Sequence, residues 1–135
     1  MSADGEQVAI GAYHNAGNGS ALGQVQVFDW NNDDLTGTKW KQARSNINGE
    51  TASDQSGGSV AMLAAGKQIV TGVFGNDGNG ATLGHVRVFD WKNSTGTKWK
   101  QARSNINGET ASDQSGGSVA MSADGKQLII GAQGN

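Results

Sequence analysis

Apolar residues fall in short bursts along this chain, each bounded by glycine-rich polar segments, and the bursts recur in a fixed order. The first kind is GSVAM (Gly58–Met62 and Gly117–Met121), short and built of small residues. The second is QVAIGA (Gln7–Ala12), QIVTGV (Gln68–Val73) or QLIIGA (Gln127–Ala132), a nearly continuous apolar run that predicts a strand buried on both faces. The third, GQVQVFDW or GHVRVFDW, alternates. Val25, Val27 and Asp29 point one way, and Gln24, Gln26, Phe28 and Trp30 the other. The fourth, TKWKQARSNI (Thr38–Ile47), is more polar, and Lys39 and Lys41 beside Trp40 are the usual protection of an exposed sheet edge. SADGK between the first and second kinds reads as a tight Asp-Gly hairpin turn. No segment holds a helical period, and glycine interrupts too often for one.

The recurrence makes the chain a tandem array. Thr36–Met62 and Thr95–Met121 are identical over all 27 residues, which means a very recent duplication or deliberate design. Met1, Met62 and Met121 open equivalent segments, and Met121–Asn135 matches Met1–Asn15 at ten of fifteen positions. The copies differ in length where NNDDLTG (Asn31–Gly37) becomes KNSTG (Lys92–Gly96), which marks a surface turn. The strands run two, three, four; one, two, three, four; one, two. An all-β chain with four short strands per repeat of about 60 residues predicts β-propeller blades of four antiparallel strands, about 2.25 blades in all. A β-solenoid usually has shorter turns, and the halves of a sandwich need not repeat. The expected organisation is a single array over 1–135. Residues 1–57 hold strands two to four of a first blade, 58–116 a full second blade, and 117–135 strands one and two of a further one.

Composition narrows the function. The net charge of −2 gives no basic face for nucleic acid. Without cysteine there is no disulfide, thiolate metal site or thiol nucleophile. No apolar run approaches the roughly 20 residues of a membrane-spanning helix, so no membrane partner is expected. MSADGEQ lacks the basic start and apolar centre of a signal peptide, which leaves the compartment open.

The run GGSVAMSADGKQLIIGA (Gly116–Ala132), followed in the other copies by an Asn/Gly loop and G-x-V-x-V-F-D-W, resembles FG-GAP repeats, those of integrin α-type β-propellers. It is most similar to the many-copy versions of marine bacteria and algae, and the resemblance covers essentially the whole chain. It implies a role in adhesion or ligand binding rather than catalysis, in a family that is often extracellular. Many such blades carry a D-x-D-x-D-G calcium loop between strands one and two. Here that place holds Ser2-Ala3-Asp4-Gly5, Leu63-Ala64-Ala65-Gly66 and Ser122-Ala123-Asp124-Gly125. One carboxylate or none falls short of the six to eight oxygens that calcium takes, so the family's metal site is not carried over and no cofactor is expected.

Both long loops of each repeat, two–three and four–one, leave the same end of the sheet, and that polar end is the candidate binding surface. Its recurrent carboxylates are Glu50 with Asp54 and Glu109 with Asp113. They are candidates for holding a cation or ligand, or for acid–base work. The structural alternative, and the expectation, is that Asp54 and Asp113 cap the turn before strand one. Asn76, Asp77 and Asn79 faintly resemble a calcium loop, but the first copy has no carboxylate there, and a turn is the expectation. His14 and His85 occupy non-equivalent positions and make no repeated metal site. Trp30, Trp40, Trp91 and Trp99 are expected to fill the layer between blades rather than to stack on sugars. Asn18-Gly19-Ser20 and Asn93-Ser94-Thr95 fit the glycosylation pattern, for which chance suffices in so Asn-rich a chain.

Two blades cannot close a ring, and closed propellers usually have four to eight. The expected partner is therefore the chain itself, three copies being favoured over four. The C-terminal strands one and two of one chain would complete the blade begun by strands two to four of the next, leaving one strand surplus. The expected role is a non-enzymatic scaffold or adhesion-type module, with a carbohydrate-binding propeller carrying one shallow polar site per blade as the alternative.

Overall fold

The computed structural model describes residues 1–16, 21–31, 37, 39–42, 44–75, 82–92 and 98–134. Among these, eleven strands and no helices occur: β1 (Gln7–Ala12), β2 (Gln24–Trp30), β3 (Trp40–Gln42), β4 (Ile47–Asn48), β5 (Ser59–Met62), β6 (Gln68–Val73), β7 (His85–Lys92), β8 (Lys98–Gln101), β9 (Ile106–Asn107), β10 (Ser115–Met121) and β11 (Leu128–Ala132). They form three antiparallel sheets. The first runs β1-β2-β3 with β4 also on β2, the central one β5-β6-β7-β8 with β9 also on β7, and the third is the hairpin β10-β11. No closed ring is present among the described residues.

The fourth strand of each repeat is split, which the polar pattern did not reveal. β3 pairs with the Trp30 end of β2 and β4 with its Gln24 end. Between β8 and β9, Gln101 turns its amide onto the residues that follow it and donates to Arg103 O at 2.8 Å and Asn105 Oδ1 at 2.6 Å. Gln42 makes the same two bonds to Arg44 and Asn46. A side chain that satisfies the interrupted backbone lets the edge kink without leaving the sheet. Strand two is tied to strand three by a repeated side-chain pair, Gln7 Nε2 to Asp29 Oδ1 at 2.9 Å and Gln68 Nε2 to Asp90 Oδ1 at 2.8 Å.

The core lies between sheets. Val25, Val27 and Ile47 of the first sheet pack with Ile69, Phe89 and Trp99 of the central one. Val70, Val86 and Val88, on the opposite face of the central sheet, pack with Val119, Met121, Leu128 and Ile130 of the hairpin. The first and central sheets thus present a valine face to the sheet that follows, and the central sheet and hairpin a bulkier face to the sheet that precedes. Strand two is buried on both faces only in β6, because only β6 has a sheet packed on either side of it. Its equivalents leave Ile10 47% and Ile129 73% exposed. The tryptophans divide the same way. Trp99 is 9% exposed within the core, whereas Trp30 and Trp40, expected in an interlayer, are each 38% exposed on the open face of the first sheet.

Along the edge that carries strands one and two, neighbouring sheets meet backbone to backbone. A Cβ on Gly11 would lie 2.0 Å from Gly57 O, and one on Gly72 would lie 1.9 Å from Gly116 O, so neither position has room for a side chain. Ser59 Oγ closes the second of these approaches by donating to Gly116 O at 2.7 Å. Gly72→Ala should therefore force the central sheet and the hairpin apart and destabilise the chain by about 1–3 kcal/mol, the usual range for overpacking. Thermal unfolding of the variant measures this, and an unchanged Tm would contradict the close approach.

Candidate functional site

The loop Gly49–Gly58 is built around one carboxylate. Asp54 Oδ2 accepts the backbone N–H groups of Glu50 and Thr51, each at 2.8 Å, and Oδ1 accepts the Thr51 hydroxyl at 2.5 Å. The residues on either side, Ser53 and Gln55, have φ of 67° and 55°, a left-handed backbone that side chains disfavour and that the buried aspartate holds in place. The second copy repeats this arrangement. Asp113 accepts from Glu109 N at 3.1 Å, Thr110 N at 2.9 Å and Thr110 Oγ1 at 2.5 Å. The Thr110 hydroxyl, followed by the Thr110 and Glu109 N–H groups, holds the Asp113 carboxyl below its ordinary value. Both aspartates thus bind the backbone and hydroxyl groups of their own turns, the structural role expected of them.

The two glutamates have different surroundings although their loops are identical. Glu50 reaches across to the central sheet, where Oε1 lies 3.2 Å from Arg87 Nη2 and Oε2 lies 4.0 Å from His85 Nε2. Arg87 is itself fixed there, donating to Asn48 O of the first sheet at 3.1 Å and to Gln101 Oε1 at 3.2 Å, with its guanidinium 4.7 Å from the Phe89 ring centre. Glu109 is exposed.

At the other end of the same intersheet seam, Arg44 donates to Gly66 O at 2.9 Å. Its guanidinium lies 4.6 Å from the Trp91 ring centre and 5.4 Å from that of Trp99. Sequence reasoning did not assign Arg44 or Arg87 a role. The available signal was the pair His85/Arg87 standing where the first copy has Gln24/Gln26, a charge change on a strand otherwise repeated.

His85 is 2% exposed, and neither ring nitrogen has a hydrogen-bond partner among the described residues. Burial pushes the imidazole below its ordinary value; Glu50 and Asp54 oppose this, and Arg87 adds to it. Asn76, Asp77 and Asn79 lie outside the described residues, as do both glycosylation-like asparagines. Asp4 and Asp124, at the place of the calcium loop, each accept a nearby hydroxyl, from Ser2 at 2.6 Å and Ser122 at 2.7 Å, and the backbone N–H two residues on. No cluster of three or more His, Asp or Glu side chains suited to a metal occurs among the described residues.

The long-loop end also carries Tyr13, 42% exposed, with the Phe74 ring 6.1 Å away. A cleft of about 90 Å³ lies beside it, lined by Phe74, Gln114, Gly117 and Gln133. No known family model matches the chain, and no curated protein is significantly similar to it.

Asp54→Ala removes the charged acceptor of three bonds and should cost roughly 1.5–3 kcal/mol, read by denaturant unfolding. A variant as stable as the parent would leave the turn role without support. His85 yields a pH dependence of known sign. Its folded value lies below the ordinary 6.5, so between the two the unfolded chain binds the extra proton. Stability should fall as pH drops through 6.5, well above the range where the carboxylates titrate. His85→Gln, which places the first copy's residue there, should flatten that part of the Tm-against-pH curve.

Proposed function

We propose that the three sheets are successive blades of a β-propeller of the integrin type that the sequence resembles, and that the chain is a non-enzymatic, self-assembling scaffold or adhesion-type module. One observation carries this reading: identical sequence is buried in one copy and bare in the other. Ile47 is 3% exposed and its repeat Ile106 39%; Trp99 is 9% exposed and its repeat Trp40 38%. The buried members sit where strands two to four of a neighbouring sheet cover them. Repeat units of this kind gain their cover from neighbours, and an open apolar face on each end of the array is a demand for another unit. The hydrogen bonds that Asp54 and Asp113 accept within their own turns support a structural role for the repeated loops.

Whole copies of a two-blade array give six blades as a trimer and eight as a tetramer, both within the range of closed propellers. The trimer is the preferred form. Native mass by light scattering across a concentration series tests it. A discrete trimer is expected, a tetramer would replace six blades by eight, and a monomer at all concentrations would overturn the self-assembly reading.

A further inference from the structure

Resting on the self-assembly reading, we infer that the seam between copies is specified by Arg103 and Glu109 of one copy meeting Trp30, Trp40, Gln24 and Gln26 of the next, with β10 pairing along β1. The template is the seam inside the chain. There Arg44 lies on the Trp91 and Trp99 rings, Ile47 is buried against the central sheet, and Glu50 pairs with Arg87. Arg103, Ile106 and Glu109 repeat those three residues in identical sequence and are all exposed.

The complementary surface is present at the other end of the same chain. Trp30 and Trp40 repeat Trp91 and Trp99 and stand edge to face at 5.1 Å, against 5.2 Å for the buried pair. Beside them Val8, Ile10, Phe28 and Trp40 line an apolar hollow of about 330 Å³. On the opposing end a groove of about 280 Å³ runs past Ile106, Glu109, Asp113 and Ile130. A guanidinium laid on paired indoles and an isoleucine entering an apolar hollow are contacts the molecule already makes once.

Strand pairing follows the same rule. β10 meets β11 with Val119 opposite Ile130 and Met121 opposite Leu128. In that register on β1 of a second copy, Val119 would face Ile10 and Met121 would face Val8. β11 thus occupies, within one chain, the place that β1 of the next copy takes on assembly, and it becomes the surplus strand. The seam departs from its template in charge. Gln24 and Gln26 stand where His85 and Arg87 stand, so Glu109 meets amides instead of a guanidinium.

The test uses the full chain, with association followed by sedimentation over a dilution series and folding by circular dichroism. Arg103→Ala alters an exposed side chain and keeps the carbonyl that Gln101 bonds. It should leave the spectrum unchanged and weaken association roughly tenfold. Gln26→Arg restores the partner that Glu50 has within the chain and should tighten association several-fold, and Glu109→Gln in the same chain should abolish that gain. A parent chain that stays monomeric would overturn the self-assembly reading itself. A parent that assembles while Arg103→Ala assembles equally well and Gln26→Arg gains nothing would overturn this seam and leave assembly by another surface standing.

Discussion

Everything in this molecule depends on the meeting of two unlike sheet faces. One face of the first and of the central sheet is made of valines on strand three, Val25 with Val27 and Val86 with Val88. The other, seen complete on the central sheet, is made of Ile69, Phe89 and tryptophan. Small against large interdigitates well, and neither face is stable in water by itself. The central sheet is the best buried of the three, with β6 and β7 covered on both faces. The first sheet and the hairpin each retain an uncovered side, where Ile10, Trp30, Trp40 and Ile129 are exposed, and the hairpin leaves Ile106 exposed at the strand-four edge of the central sheet.

Polar chemistry is placed on this frame to align the faces. Arg44 at one end and Arg87 with Glu50 at the other cross from sheet to sheet and fix how the two slide against each other. His85 is buried beside them with no hydrogen-bond partner among the described residues, and burial holds its imidazole toward the neutral form, which costs less to desolvate than the charged one. The first copy avoids the cost by carrying Gln24 at that position, so the repeats are alike in shape but not interchangeable in charge.

Much of this was legible in the sequence. Strand identity followed from the bursts of apolar residues, and the alternation of strand three correctly separated Val25 and Val27 from Phe28 and Trp30. The turn role of Asp54 and Asp113 followed from an aspartate placed between positions that a tight loop must bend. Three things escaped. The split of strand four depends on Gln42 and Gln101 folding back onto the chain, a local bond that hydrophobic patterning does not register. The uneven burial of β1, β6 and β11 depends on which sheets have neighbours, so nearly identical sequences met different surroundings. The intersheet roles of Arg44, Arg87 and Glu50 depend on register between sheets, which no spacing along the chain encodes. The Asn76, Asp77 and Asn79 loop falls outside the described residues.

Between the first and central sheets, a glycine approach lies along one edge and tryptophans along the other. Backbones touch at Gly11 and Gly57, whereas a guanidinium and two indoles stand between the sheets near strand four. The gap between these two sheets is therefore set by a few side-chain volumes: none at all at the glycine edge, and the largest available at the tryptophan edge.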